Sequence, residues 1–122
     1  MKKQSMKTWE SKHEFKEEVY LFANKIKVKV KQITIRPMTR KWASCSTNGF
    51  FTFNAELLGM DRSLGEYAIM HEVLHYHVPN HGKLWKSLMG VYMPNYEDIA
   101  IRLRLLSSNI CALEDSKNAG LI

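Results

Sequence analysis

The chain has 122 residues, of which 45% are hydrophobic and 25% charged, and its formal net charge is +6. That length gives room for one domain with one modest core, and the apolar content excludes a chain disordered by composition. No apolar run approaches the length of a bilayer span, and the basic amino terminus lacks the apolar stretch of a secretory signal.

Residues 1–11 are polar and read as a frayed tail, with 108–122 as its counterpart at the other end. From Lys12 to about Lys29, Phe15, Val19, Phe22 and Ile26 recur at helical spacing. Val28–Lys31 alternates and fits either the end of that helix or the start of a strand. Gln32–Arg36 alternates around Ile33 and Ile35 and reads as a strand closed by Pro37. Trp42–Ser46 and Phe50–Asn54 flank Thr47-Asn48-Gly49, and Asn-Gly between β-compatible runs signals a hairpin. Ser63-Leu64-Gly65-Glu66 fits a capping box, with a helix running on to about Val78. Residues 83–92 read as an amphipathic helix, Pro94 breaks it, and Tyr96–Leu106 reads as the last helix. The expected fold class is therefore α+β: a small antiparallel sheet of about three strands packed on helices. Without an internal repeat, a low-complexity tract or a linker, residues 1–122 read as a single domain.

The chemistry concentrates in residues 71–81, HEVLHYHVPNH, which hold four of the five histidines. Four residues are slightly more than one helical turn, so His71 and His75 stand one above the other on a single face and can grip one divalent cation. Glu72 lies beside them, where a carboxylate can take a proton from a metal-bound water. Pro79 stops the helix and Asn80 favours a turn, so the chain can fold back and present His81 to the same ion. Two ligands on a helix and a third past its end leave a fourth tetrahedral position for water, the arrangement of a catalytic zinc site with one Zn²⁺. The pattern points to a zinc-dependent hydrolase, and among hydrolases to a peptidase. His77 is about 200° round the helix from His75, off the metal face, and reads as a polar group suited to a helix C-terminus. His13 sits in a charged segment and reads as solvated. Leu64, Tyr67, Ala68 and Leu74 fall on or beside the metal face, with Met70 and Val73 to one flank, and would pack around it.

Cys45 and Cys111 are too few and too far apart to staple a secreted scaffold, and read as thiols in a reducing cytoplasm. The lysines crowd into the first third, from Lys2 to Lys31, and could attract nucleic acid through phosphate contacts. No nucleic-acid-binding motif accompanies them, so a solvated basic surface is the preferred reading. No membrane association is expected, and the chain reads as a monomer.

From about Arg40 to Leu105 the order and spacing of motifs resemble the YgjP-like metallopeptidase family, close to the minigluzincins and the SprT/WLM-type small zinc peptidases. The residues that carry the resemblance are Lys41-Trp42-Ala43-Ser44-Cys45, Phe53-Asn54, Tyr67, His71-Glu72-Val73-Leu74-His75, Asn80-His81, Leu84-Trp85 and Met93-Pro94. Ala43 stands where the family usually has glycine; its methyl group removes no ligand. The resemblance implies a minimal zinc peptidase with His71, His75 and His81 as ligands and Glu72 as general base and acid. It also implies that an extended polypeptide lies beside a sheet edge formed by the hairpin, near Trp42, Ser44, Phe53 and Asn54. Tyr76, His77, Tyr92 and Tyr96 are candidates to steady the tetrahedral oxyanion. Glu97 rivals His81, because a glutamate from a following helix is the third ligand in gluzincin-type peptidases. Met93-Pro94 reads equally as an apolar floor under the metal, like the Met-turn of other zinc peptidases, or as ordinary core before a helix break. Two further readings stay open: a protease recruited to DNA through the basic amino-terminal third, as SprT-type relatives are, and a latent or non-enzymatic zinc-binding module.

Overall fold

The computed structural model describes residues 7–46 and 48–106; the expectations for residues 1–6, for Cys111 and for the tail from 108 onward lie outside that range. Helix α1 spans Lys12–Lys25. Ser11 caps it, its hydroxyl accepting from the Glu14 amide at 3.1 Å, while the Glu14 carboxylate accepts from the Glu10 amide at 2.8 Å. Phe15, Val19, Phe22 and Ala23 form its buried stripe. The helix ends earlier than its apolar spacing implies, because Lys27 takes a left-handed conformation with φ 61°. The Val28 amide then reaches back to the Ala23 carbonyl at 2.8 Å, a Schellman closure that turns Val28 into the core.

Strands β1 (Gln32–Arg36), β2 (Ala43–Cys45) and β3 (Phe50–Asn54) make one sheet in the order β1-β3-β2. The hairpin is present: β2 and β3 pair antiparallel, with Ser44 opposite Thr52, and Gly49 takes φ 91° at the turn. The all-antiparallel expectation is corrected to a mixed sheet, because β1 runs parallel to β3 from Gln32↔Phe50 to Arg36↔Asn54. The connection through residues 37–42 skips one place, which leaves the phenylalanine-rich β3 in the centre and β2 at an edge. Asn54 secures that connection. Its side-chain amide donates to the carbonyls of Met38 at 3.0 Å and Lys41 at 3.2 Å, and its oxygen caps the following 3-10 turn, Ala55–Gly59, at the Glu56 amide.

Helix α2 spans Arg62–His75 and is buried on most of its faces, packing against α1, β2, α3 (Lys83–Tyr92) and α4 (Tyr96–Leu105). Asp61 replaces the expected Ser63 as its cap. The Asp61 carboxylate accepts from the Ser63 amide at 3.1 Å and from Arg102 of α4 at 3.0 Å, so the same group starts one helix and ties down another. No helix of the described residues is long and apolar enough to cross a membrane.

Residues 7–11 are held rather than frayed. Trp9 is buried, its amide donates to the Leu58 carbonyl at 3.3 Å, and the Arg62 amide donates to the Lys7 carbonyl at 2.6 Å. Its ring packs on Phe15 at 4.7 Å and under the Arg62 guanidinium at 4.0 Å. Gly65 makes room for it: a Cβ there would stand 2.5 Å from the indole nitrogen. Gly65→Ala gains about 1 kcal/mol of helix propensity but overpacks a pinned ring at about 1–3 kcal/mol. With so short an approach the upper end applies, and the expected net loss is roughly 2 kcal/mol. Thermal denaturation checks this; an unchanged or raised Tm would contradict it.

Candidate metal centre

The central helix carries the first two ligand candidates. His71 is buried, with 2% of its surface exposed, and His75 is half-buried one turn later. The helix ends there, as four-residue spacing followed by Pro79 requires. The chain then turns through residues 76–82, with the Asn80 side-chain oxygen accepting from the Gly82 amide at 3.1 Å, a local turn that brings His81 back over α2. His81 Nε2 lies 2.7 Å from His75 Nε2 and 3.1 Å from His71 Nε2. Among the described residues these three form the one group whose ligand atoms converge, all within 4.8 Å of one another.

The second ring nitrogens explain the orientation. His75 Nδ1 lies 3.0 Å from the Val78 carbonyl oxygen, and His71 Nδ1 lies 3.3 Å from Glu72 Oε2. A carbonyl cannot donate, so His75 carries its proton on Nδ1, and Glu72 places the His71 proton likewise once a cation beside it favours the ionised carboxylate. Both Nε2 lone pairs then face inward. His81 Nε2 has two nitrogen neighbours and at most one proton to share, which leaves one pair of lone pairs unbridged. A divalent cation satisfies all three, and three imidazoles, two of them with an outer partner on the second nitrogen, are a donor set zinc takes. Burial pushes His71 down to about 3. Burial, with the charges of His71, His75 and Lys86, pushes His81 down to about 4. Both are therefore neutral at pH 7, the form a metal requires.

Glu72 is completely buried. Burial pushes its carboxyl up to about 8, against the opposing pull of His75 and Lys41. Oε1 is buried without a hydrogen-bond partner, an unmet acceptor beside three inward-facing nitrogens. Cys45, at the end of β2, is a free thiol. Burial, then the Glu72 charge, pushes it up to about 12, which makes it a poor nucleophile at neutral pH.

Trp85 walls the group. Its ring sits 5.1 Å from His71, 5.8 Å from His75 with the planes nearly stacked, and 4.6 Å from His81. Tyr67 adds a ring 5.5 Å from His71. Trp85 stands out in the sequence only as part of a family motif; its place on α3, one turn past His81, was the available signal for a wall.

The other candidates are scattered. Trp42 and Phe53 are wholly buried and Asn54 nearly so, so these side chains belong to the core, and Ser44 is the one of the four half-open on β2. Tyr92 packs edge-on to Phe22 of α1 at 5.1 Å. Tyr76 packs against His77 at 5.7 Å, and His77 turns away to the Ile26 carbonyl at 2.8 Å. Tyr96 stands edge-on at 5.9 Å to Trp85, the ring that walls the imidazoles. Glu97 is exposed on the first turn of α4 and outside the converging group. Met93 is buried in the core, and His13 pairs with Glu17 at 3.1 Å on the surface.

No curated protein matches the sequence. Solved structures share the fold, among them two metallopeptidase zymogens. The metallopeptidase zymogen jannalysin of Methanocaldococcus jannaschii is 23% identical, with a TM-score of 0.67 over 75% of this chain and 94% of that one. The metallopeptidase zymogen abylysin of Pyrococcus abyssi is 17% identical, with a TM-score of 0.65 over 79% of this chain and 97% of that one. The model of the YgjP-like metallopeptidase domain matches residues 1–105, nearly the whole described chain, and the protein belongs to that family.

Proposed function

We propose that this metallopeptidase is zinc-dependent and hydrolyses peptide bonds with Glu72 as general base. The observation that carries the reading is the convergence of three imidazoles at 2.7 and 3.1 Å beside the buried carboxyl of Glu72, whose Oε1 has no hydrogen-bond partner. His71, His75 and His81 would hold the ion. Zinc bound there supplies a Lewis acid that polarises a peptide carbonyl and acidifies water towards pH 7.

The chain's own groups do the rest. Glu72 Oε2 is occupied by the His71 Nδ1 proton at 3.3 Å, so Oε1 is the atom that accepts a proton from the attacking water. The same oxygen returns it to the leaving amine. Trp85 and Tyr67 shield the imidazoles and lower the local dielectric, which strengthens each charge interaction. Strand β2 pairs only with β3 among the described residues, so its outer edge can take an extended polypeptide by backbone hydrogen bonds, with Ser44 on that rim.

The test is reversible metal removal. Protein treated with a strong chelator is expected to lose cleavage of an unfolded polypeptide, read by mass spectrometry of the products, and to regain it with one equivalent of zinc. Cleavage that survives complete removal of metal would refute the reading.

A further inference from the structure

We propose that His77 is a positioning residue that holds the metal ligand His75 in its binding tautomer from a distance; this rests on the zinc reading above. His77 follows the helix end by two residues, and its ring points away from the three ligands. Its Nε2 lies 2.8 Å from the carbonyl oxygen of Ile26, 51 residues earlier in the chain. That carbonyl is available for a reason. Ile26 is the C-cap of α1, and the left-handed Lys27 closes the helix with the amides of Lys27 and Val28 on the carbonyls of Asn24 and Ala23. The closure uses those inner carbonyls and leaves the Ile26 oxygen to accept the His77 N–H.

The other end of the link is the Val78 carbonyl. It is the next residue, and it is the acceptor for His75 Nδ1 at 3.0 Å. Between His75 and Pro79 the last turn of the helix tightens and ends: the Leu74 carbonyl accepts from both the His77 amide at 3.1 Å and the Val78 amide at 3.0 Å, and Pro79 carries no amide to continue the ladder. The backbone bonds fix the amides of this turn, but the ladder stops at Pro79, so the setting of the Val78 carbonyl, on the side leading out of the helix, depends also on side-chain anchors. Val78 packs into the core, and His77 ties the turn to α1. The chain of contacts runs from the Ile26 carbonyl through His77 to the Val78 carbonyl, and from there to His75 Nδ1. If the turn swings out, His75 loses the bond that puts its proton on Nδ1 and its lone pair on Nε2. Partners of this kind typically carry 10–100-fold in metal affinity.

His77→Gln and His77→Glu separate the link from its alternatives. The two are nearly equal in size, but only glutamine can donate to a carbonyl. Zinc affinity is measured by competition with a chromophoric chelator, and the His75 tautomer by ¹⁵N shifts of its ring in zinc-free protein. The expected result is near wild-type affinity for Gln and an affinity about tenfold lower for Glu and for His77→Ala, with His75 Nδ1–H lost in the weak pair. A purely electrostatic role predicts the reverse order, since a new carboxylate would tighten cation binding. Wild-type affinity and an unchanged tautomer in the glutamate variant would overturn the proposal. Failure of the wild type itself to bind zinc would overturn the metal centre, and this inference with it.

Discussion

Glu72→Gln is expected to lower the rate of peptide hydrolysis by about 10²–10⁴-fold, the range general acid–base catalysis covers, while leaving zinc bound and the fold intact. Each half of that expectation has its own cause. Glutamine keeps the shape of the side chain but cannot accept a proton from water. Its carbonyl oxygen can still take the His71 Nδ1 proton that Glu72 Oε2 takes at 3.3 Å, so the ligand keeps its orientation. The fold should not suffer, because burial already pushes the carboxyl up to about 8, and a neutral amide removes the cost of burying that charge. The comparison is made on zinc-loaded protein of equal metal content, with a steady-state assay and a thermal melt of each. A rate within a few-fold of wild type would remove Glu72 from the chemistry while leaving the metal site standing.

His81→Ala is expected to weaken zinc binding by about 10²–10³-fold. Zinc sites of four protein ligands bind with roughly 10–16 kcal/mol, so one ligand carries about 2.5–4 kcal/mol, or about two to three powers of ten. The loss should be that large because His81 is central: its Nε2 is the atom within 3.1 Å of both other ligand nitrogens. Glu97→Ala is expected to bind zinc within about twofold of wild type, since its carboxylate is exposed on α4 and outside the converging group. Chelator competition on the two variants decides between them. Retained affinity in His81→Ala with loss in Glu97→Ala would place the third ligand on α4.

The convergence of the three histidines was legible because its geometry is local. A four-residue interval on a helix, a proline and a turn residue bring three imidazoles together within eleven positions, with no long-range packing to foresee. The hairpin was legible for the same reason, through Asn48-Gly49. What was hidden depends on partners distant in sequence. The parallel pairing of β1 with β3 follows from a connection that skips a strand, and alternation around Ile33 and Ile35 reads the same in either direction. The early end of α1 rests on a lysine in a conformation that favours glycine. Trp9 looked like part of a polar tail because its seat is made by Gly65, 56 residues on. Trp42 and Phe53 looked like a substrate rim because aromatic residues on an edge hairpin suit either a groove or a core, and burial alone separates the two. The link from His77 to Ile26 joins residues 51 apart and leaves no periodicity to read.

X-ray absorption at the zinc edge, on protein loaded with one equivalent of metal, tests the central claim most directly. Three imidazole nitrogens and one oxygen neighbour, all at about 2.0–2.1 Å, is the predicted shell. A shell of oxygen donors alone, or one with fewer than three imidazoles, would contradict it.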